Sequence, residues 1–135
     1  MAEVSGSRSF DITGNALWAV VADPARLADW VPTMRRAEPS GAAEVHVEGE
    51  SHGHRYSLDS QLRIDEGDRS LHWGAAEDEG YRGWLRVGDR PSGSEVHIHV
   101  TVPEGRLGPS PGAAVDEIQR GMEETFDRLA SIIVS

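Results

Sequence analysis

The sequence contains no lysine and no cysteine, so its 13 basic residues are all arginine. Without lysine the protein cannot form a Schiff base, and without cysteine it has no thiolate nucleophile, disulfide or cysteine-bound metal. Positive charge is also scarce, because 23 acidic residues give a net charge of −10 at pH 7. Binding to nucleic acid depends on clustered positive charge, so we expect no nucleic-acid partner.

Long apolar runs are missing as well. No segment approaches the roughly 20 apolar residues that cross a bilayer, so we expect no stable membrane insertion. The first ten residues are polar and do not resemble a signal or transit peptide, which favours a cytoplasmic location. A chain of 135 residues is long enough for one domain with its own core and short for two. We therefore expect residues 1–135 to form a single domain.

Near its start, the chain predicts a strand over residues 4–12 followed by two short helices. Thr13 is suited to cap the first helix, since its hydroxyl can accept a hydrogen bond from a free backbone N–H. The second helix is predicted to begin at Asp23 and Pro24, a capping acid followed by proline at the first helical position. It is expected to run to about residue 29.

From residue 33 to residue 102, apolar and polar residues alternate. This period of two is typical of antiparallel strands with one covered face and one face in water. Turn-forming residues divide the stretch at 39–41, 52–53, 65–68, 77–80 and 90–93. A long amphipathic helix then begins at Ser110 and Pro111. The pattern predicts an α+β fold, a curved antiparallel sheet of six to seven strands with the long helix across it.

Five short motifs lie within the predicted elements: Ser9-Phe-Asp-Ile12, Trp18-Ala-Val-Val-Ala-Asp-Pro24, Leu27-Ala-Asp-Trp30-Val-Pro32, Leu71-His-Trp73 and Gly93-Ser-Glu-Val96. Together they resemble the START/SRPBCC superfamily, in particular its polyketide cyclase/dehydrase-like subgroup, over nearly the whole chain. The resemblance implies a helix-grip fold, in which the sheet curves around the C-terminal helix and the two enclose a cavity. Members differ widely in their chemistry, so the function has to be argued from the site.

The covered face of the alternating strands, the short helices and the apolar stripe of the long helix supply a candidate ligand-binding lining. It consists of Trp30, Met34, Tyr56, Leu58, Ser60, Trp73, Tyr81, Leu85, Ile98, Ile118, Met122 and Phe126. Apolar walls with few orienting polar groups are typical of ligand pockets. Gly83 and Gly121 share the inward register, and their missing side chains favour a void. We expect a small hydrophobic ligand, such as a polyketide, a lipid or a similar metabolite. A solid core serving an interaction module is an alternative.

Catalytic groups are few on this covered face. No histidine or carboxylate falls clearly in the inward register, although general acid–base catalysis normally uses such a group. The polyketide cyclases that the sequence resembles orient a poly-ketone chain with tyrosine, serine, arginine and histidine side chains. The resemblance therefore makes Tyr56, Tyr81 and Arg35 candidate catalytic residues. A cyclase, aromatase or dehydratase of secondary metabolism is the alternative to a binding protein.

The outer face of the predicted sheet carries His46, His97, His99 and Trp84. Zinc requires three or four converging ligands, and these histidines point to solvent in the predicted register, so we expect neither a metal nor another cofactor. Trp84 is a candidate contact between two copies of the chain. The expected state is a monomer or a homodimer.

Overall fold

The computed structural model describes residues 2–32, 34–41, 44–51, 54–75, 82–103 and 109–134, without the side chains of residues 41, 51, 54, 56, 58–60, 75 and 134. The elements in chain order are β1 (Ala2–Phe10), α1 (Gly14–Val21), a 3₁₀ turn (Pro24–Arg26), α2 (Leu27–Trp30), β2 (Met34–Gly41), β3 (Glu44–Ser51), β4 (His54–Asp65), β5 (Ser70–Ala75), β6 (Arg82–Arg90), β7 (Gly93–Val102) and α3 (Pro111–Val134).

The seven strands form one antiparallel sheet in the order β1-β7-β6-β5-β4-β3-β2. Every strand from β2 to β6 therefore pairs with the next one along the chain, and β1 joins the far edge beside β7. The predicted α+β helix-grip architecture is confirmed, with a curved seven-stranded sheet, two short helical segments after β1, and a long helix at the end.

The sheet buries one face, as the alternation predicted. On β7, Val96, Ile98 and Val100 are buried while His97 is exposed. The buried side chains of the strands and helices belong to one hydrophobic cluster. α3 adds Met122, Phe126 and Leu129 to this cluster and makes its closest backbone contacts with β1 and α2. The inner face of the sheet and α3 therefore define the interior.

Both predicted helix caps are present at the start of the chain. The Thr13 hydroxyl accepts a hydrogen bond from the Ala16 N–H at 3.2 Å, and the Asp23 carboxylate accepts one from the Ala25 N–H at 3.0 Å. The second helical segment divides into a 3₁₀ turn and α2, which ends at Trp30.

The turn predicted over residues 39–41 is wrong. β2 continues through Pro39, which pairs with Val45, as far as Gly41, with a register shift between the two. Proline lacks the N–H that an inner strand needs, but it is tolerated in an edge strand such as β2. The turns predicted at 65–68 and 90–93 are present, at residues 66–69 and 91–92. Those predicted at 52–53 and 77–80 lie outside the described residues.

Candidate functional site

Eight of the twelve predicted lining residues have described side chains, and all eight belong to the hydrophobic interior. Trp30, Leu85, Ile98, Met122 and Phe126 are buried, while Met34, Trp73 and Ile118 are half-buried against the same cluster. The interior surface that these residues form is almost entirely apolar. This composition suits a ligand held mainly by apolar contact.

The other four predicted lining residues have no described side chains. The backbones of Tyr56, Leu58 and Ser60 lie in β4 and pair with Gly49, Val47 and Val45 of β3. Their side chains lie outside the described part of the structure, as does the whole of Tyr81. Their contribution to a site stays a prediction.

The indole of Trp30 contains a buried polar atom, Nε1, that has no hydrogen-bond partner in the part of the chain that the structure describes. Trp30 ends α2, a helix that contacts both β2 and α3, and its side chain is only 4% exposed. No acceptor in the described structure lies within hydrogen-bond distance of its Nε1. Trp18 provides the contrast, because its Nε1 donates to the Glu66 carboxylate at 2.8 Å. A buried donor without a partner costs about 1–3 kcal/mol, so an acceptor brought to Trp30 would recover free energy.

The two inward glycines differ in what surrounds them. A Cβ on Gly83 would lie 2.6 Å from atoms of the Trp73 indole, so this tryptophan fills the space beside the glycine. The expectation of a void at Gly83 is therefore wrong, since the opposing β5 side chain occupies it. Gly121 on α3 is half-buried, and no described atom lies within 4 Å of the corresponding Cβ position. Of these two inward glycines, only Gly121 has open space beside its Cβ position.

Arg35 and Arg36 are tied to carboxylates at the edge of the sheet. The Arg35 guanidinium donates to Glu50 at 2.8 Å, and its side chain is 67% exposed. Arg36 contacts Glu38 and Glu48 and is also exposed. The hydrogen bond to Glu38 is the main cause that raises the pKa of Arg36. A catalytic role of Arg35 stays a prediction and would require its guanidinium to leave Glu50.

Arg8 is the charged residue on the inner face that sequence reasoning missed. It follows the register of the buried Val4 and Phe10 on β1 and contacts α3. Its guanidinium donates to Asp127 at 2.7 Å and to Glu123 at 2.6 Å. It also lies 5.2 Å from the centre of the Phe126 ring. The hydrogen bond to Asp127 is the main cause that raises the pKa of Arg8 above its ordinary value, although burial opposes it.

The sequence signal that could have identified Arg8 is its position in the alternating pattern of β1. Arg8 has the same alternation as Val4 and Phe10, and Glu123 and Asp127 are one helical turn apart on α3. Only the packing of α3 on β1 brings the three charged groups together. Arg8 therefore fixes the helix against the β1 side of the interior.

His97 and His99 lie on the outer face of the sheet. His97 contacts Glu95, which Arg90 also contacts, and His99 lies 3.5 Å from Glu3. Burial opposes ionisation of Glu95, but His97 and Arg90 outweigh it and lower the pKa of this carboxyl. Within the described ranges, no three histidine, aspartate or glutamate side chains are grouped as a metal ion would require.

Comparisons with known proteins agree with this arrangement. A family model described as "polyketide cyclase / dehydrase and lipid transport" matches residues 1–133. No curated protein matches the chain. No α-helix in the part of the chain that the structure describes combines the length and apolar character needed to cross a membrane.

Several solved structures share the fold. A protein from Bacillus thuringiensis aligns with a TM-score of 0.79 and 15% identity, covering 99% of this chain and 100% of that one. A START superfamily protein from Mycobacterium smegmatis gives a TM-score of 0.78 at 10% identity, covering 96% and 94%. The Zhui aromatase/cyclase from a Streptomyces species gives 0.67 at 16% identity, covering 96% and 89%. By the family match over nearly its full length, the chain belongs to the polyketide cyclase/dehydrase and lipid transport family.

Proposed function

We propose that this protein binds a small, mainly apolar molecule between α3 and the inner face of the sheet. The observation that carries the proposal is the buried Trp30 Nε1, a hydrogen-bond donor that has no partner among the described residues and lies in a mainly apolar interior. Ser94 Oγ is the other buried polar atom of the described residues that lacks a partner. The open space beside Gly121 supports it. Such a molecule would be the bound ligand of a carrier or a sensor.

The same donor defines the chemistry of the ligand. An apolar body would be held by burial, at about 25 cal/mol for each Å² removed from water. An oxygen that accepts a hydrogen bond, as in a ketone, an ester or a hydroxyl group, would pair with the Trp30 indole. Polyketides and lipids with an oxygen function both fit this description. A cytoplasmic location and a monomeric or homodimeric state are further parts of the proposal.

Binding is tested first with a defined panel of fatty acids, sterols and aromatic polyketides. Native mass spectrometry should detect at least one bound compound, and the same compound should raise the melting temperature of the protein. If no member of the panel binds by either measurement, the proposal is wrong.

The role of Trp30 is tested with the best compound from that panel. We expect Trp30→Phe to weaken its binding by about three- to tenfold, because one hydrogen bond contributes about 0.5–1.5 kcal/mol. An analogue without the oxygen should bind both forms equally. Trp18→Phe is the matched control, since it removes an indole that already has Glu66 as its partner. It should lower stability and leave the affinity unchanged.

Catalysis on a bound ketone chain is a second candidate. It is favoured by the position of Tyr56, whose backbone pairs with the buried Gly49. If the protein cyclises or dehydrates such a chain, Tyr56→Phe, Tyr81→Phe or Arg35→Ala should abolish product formation and leave the melting temperature nearly unchanged. Normal turnover in all three variants would show that these residues are not catalytic.

A further inference from the structure

The outer face of the sheet carries a row of positively charged and aromatic side chains across four strands. Arg63 of β4 lies opposite His72 of β5. On the next two strands, Trp84 of β6 lies between His72 and His99 of β7. On β6, Arg82 and Arg86 share this face with Trp84. We call this surface the outer patch, formed by Arg63, His72, Arg82, Trp84, Arg86 and His99.

The aromatic centre of the outer patch has a defined geometry. The Trp84 ring stacks on His99 with 5.5 Å between ring centroids and an interplanar angle of 18°. The Arg86 guanidinium lies 5.7 Å from the centroid of the same indole. Trp84 nevertheless stays half-exposed. An apolar surface is therefore offered to solvent in a fixed orientation, between charged groups.

The arginines of the outer patch differ from most others in this acidic chain. Those bound to a carboxylate are Arg8, Arg26, Arg35, Arg36, Arg69, Arg90 and Arg128. Among the described residues, Arg63, Arg82 and Arg86 have no carboxylate within ion-pair distance, and all three are exposed. Arg55 and Arg120 also lack such a carboxylate, but they lie elsewhere, near the start of β4 and on α3.

The electrostatic surroundings of His72 agree with a locally positive surface. Burial is the first cause that lowers the pKa of His72, and the charges of Arg63 and Arg86 lower it further. Asp65 and Asp68 act in the opposite direction without reversing the shift. The charges of Arg63 and Arg86 therefore act on the centre of the patch.

From these observations we propose that the outer patch binds a carboxylate-rich segment of a partner protein. Its acidic side chains would pair with Arg63, Arg82 and Arg86, and an apolar side chain of the segment would pack on Trp84. The size of the patch favours a segment over a single small anion. Two strand spacings separate Arg63 from Trp84, roughly 10 Å, and four residues along β6 separate Arg82 from Arg86, roughly 13 Å. With the charges spread over the surface in this way, a segment with several carboxylates can pair with more of them than one carboxylate or phosphate can.

The direct test uses a fluorescein-labelled peptide of repeated Asp-Glu-Leu units, with a Lys-Lys-Leu peptide as its charge-reversed control. Fluorescence anisotropy at about 50 mM salt, where exposed charges are weakly screened, should detect binding of the acidic peptide alone. A triple variant with Arg63→Gln, Arg82→Gln and Arg86→Gln should bind it at least tenfold more weakly. Trp84→Ala should also weaken binding.

The matched control changes the same number of charges elsewhere. A triple variant with Arg26→Gln, Arg36→Gln and Arg128→Gln removes three arginines that already have carboxylate partners. It should bind the acidic peptide as the unmodified protein does. Equal weakening in both triple variants would mean that only net charge matters and would overturn the proposal. Failure of the unmodified protein to bind the peptide, or equal binding of the basic peptide, would overturn it too.

Self-association is the remaining outcome. If sedimentation shows a dimer that the Arg63, Arg82 and Arg86 triple variant dissociates, the patch binds a second copy of this chain and the proposal of a separate partner is wrong. Binding of small apolar molecules should be the same in both triple variants. This readout separates the outer patch from the interior site near Trp30.

Discussion

The indole of Trp73 on β5 lies against Gly83, the residue directly opposite it on β6. A Cβ on Gly83 would lie 2.6 Å from Cε2 and Cζ2 of this ring, and 2.7 Å from Nε1. Such distances are shorter than any normal contact. Because the obstacle is a rigid ring, a single methyl group at Gly83 must displace the indole from its position in the interior.

We therefore predict that Gly83→Ala lowers the free energy of unfolding by about 1–3 kcal/mol, the usual cost of overpacking. Urea denaturation measures this change. Gly88→Ala on the same strand is the control, since no described atom lies within 4 Å of its Cβ position. Adding Trp73→Leu to Gly83→Ala should restore part of the loss. If Gly83→Ala and Gly88→Ala are equally stable, the indole does not hold this position.

Gly93 is required by the backbone itself. Its φ is +153°, and a Cβ there would lie 2.1 Å from the Phe10 carbonyl oxygen. We predict that Gly93→Ala lowers the free energy of unfolding by more than about 2 kcal/mol, because neither strand can move without losing the pairing of β1 with β7. Gly112 in the first turn of α3 has no described neighbour within 4 Å of its Cβ position. There, alanine should stabilise the protein by up to about 1 kcal/mol. Melting curves of the two variants should move in opposite directions.

Arg8 is predicted to stabilise the contact between β1 and α3. Arg8→Met should lower the free energy of unfolding by about 1 kcal/mol, since exposed ion pairs and cation–π contacts are each worth less than that. Arg128→Met, which removes a pair with Glu124 on the helix surface, should cost only about 0.3–0.5 kcal/mol.

A double-mutant cycle identifies the source of the Arg8 effect. Glu123→Gln combined with Asp127→Asn should destabilise the unmodified protein and have a much smaller effect in the Arg8→Met background. Additive losses would show that Arg8 acts through its packing on Phe126 and not through the carboxylates.

His72 predicts a dependence of stability on pH. Because burial and Arg63 lower its pKa, the unfolded chain binds a proton at higher pH than the folded protein does. His72 makes its full contribution to the free energy of unfolding above its pKa in the unfolded chain, near 6.5. This contribution is lost as the pH falls toward the lower pKa of His72 in the folded protein. When the pH is lowered from about 7.5 to about 5.5, the His72→Gln variant should therefore lose less free energy of unfolding than the unmodified protein does. Parallel pH curves for the two proteins would contradict this.

Much of the fold could be predicted because its signals are local. The caps at Thr13 and Asp23 lie within three residues of the N–H groups that they bind. The alternation over β7 depends only on neighbouring residues. The edge position of β2 is not a local signal, so the sequence predicts a turn at Pro39 where the structure has a strand. Whether proline fits a strand depends on the order of the strands, which no single segment encodes.

The candidate site was less predictable because its features depend on distant contacts. The gap at Gly83 is filled by a side chain from another strand, and the missing partner of Trp30 Nε1 becomes visible only once α2, β2 and α3 are assembled. Periodicity placed the eight described candidates in the interior without predicting how deeply each is buried. The roles of Tyr56 and Tyr81 stay predictions, because the side chain of Tyr56 and the whole of Tyr81 lie outside the described residues.

The contact of Arg8 with Asp127 also bears on how the chain folds. The two residues are 119 positions apart, and the strand that holds Arg8 pairs only with β7. Because β7 and α3 both follow β1 late in the chain, we expect β1 to stay unpaired until they are available. Contacts between residues so far apart in the chain are slow to form, and an unpaired strand is prone to aggregation. Folding of this domain should accordingly be limited by the late docking of its first strand.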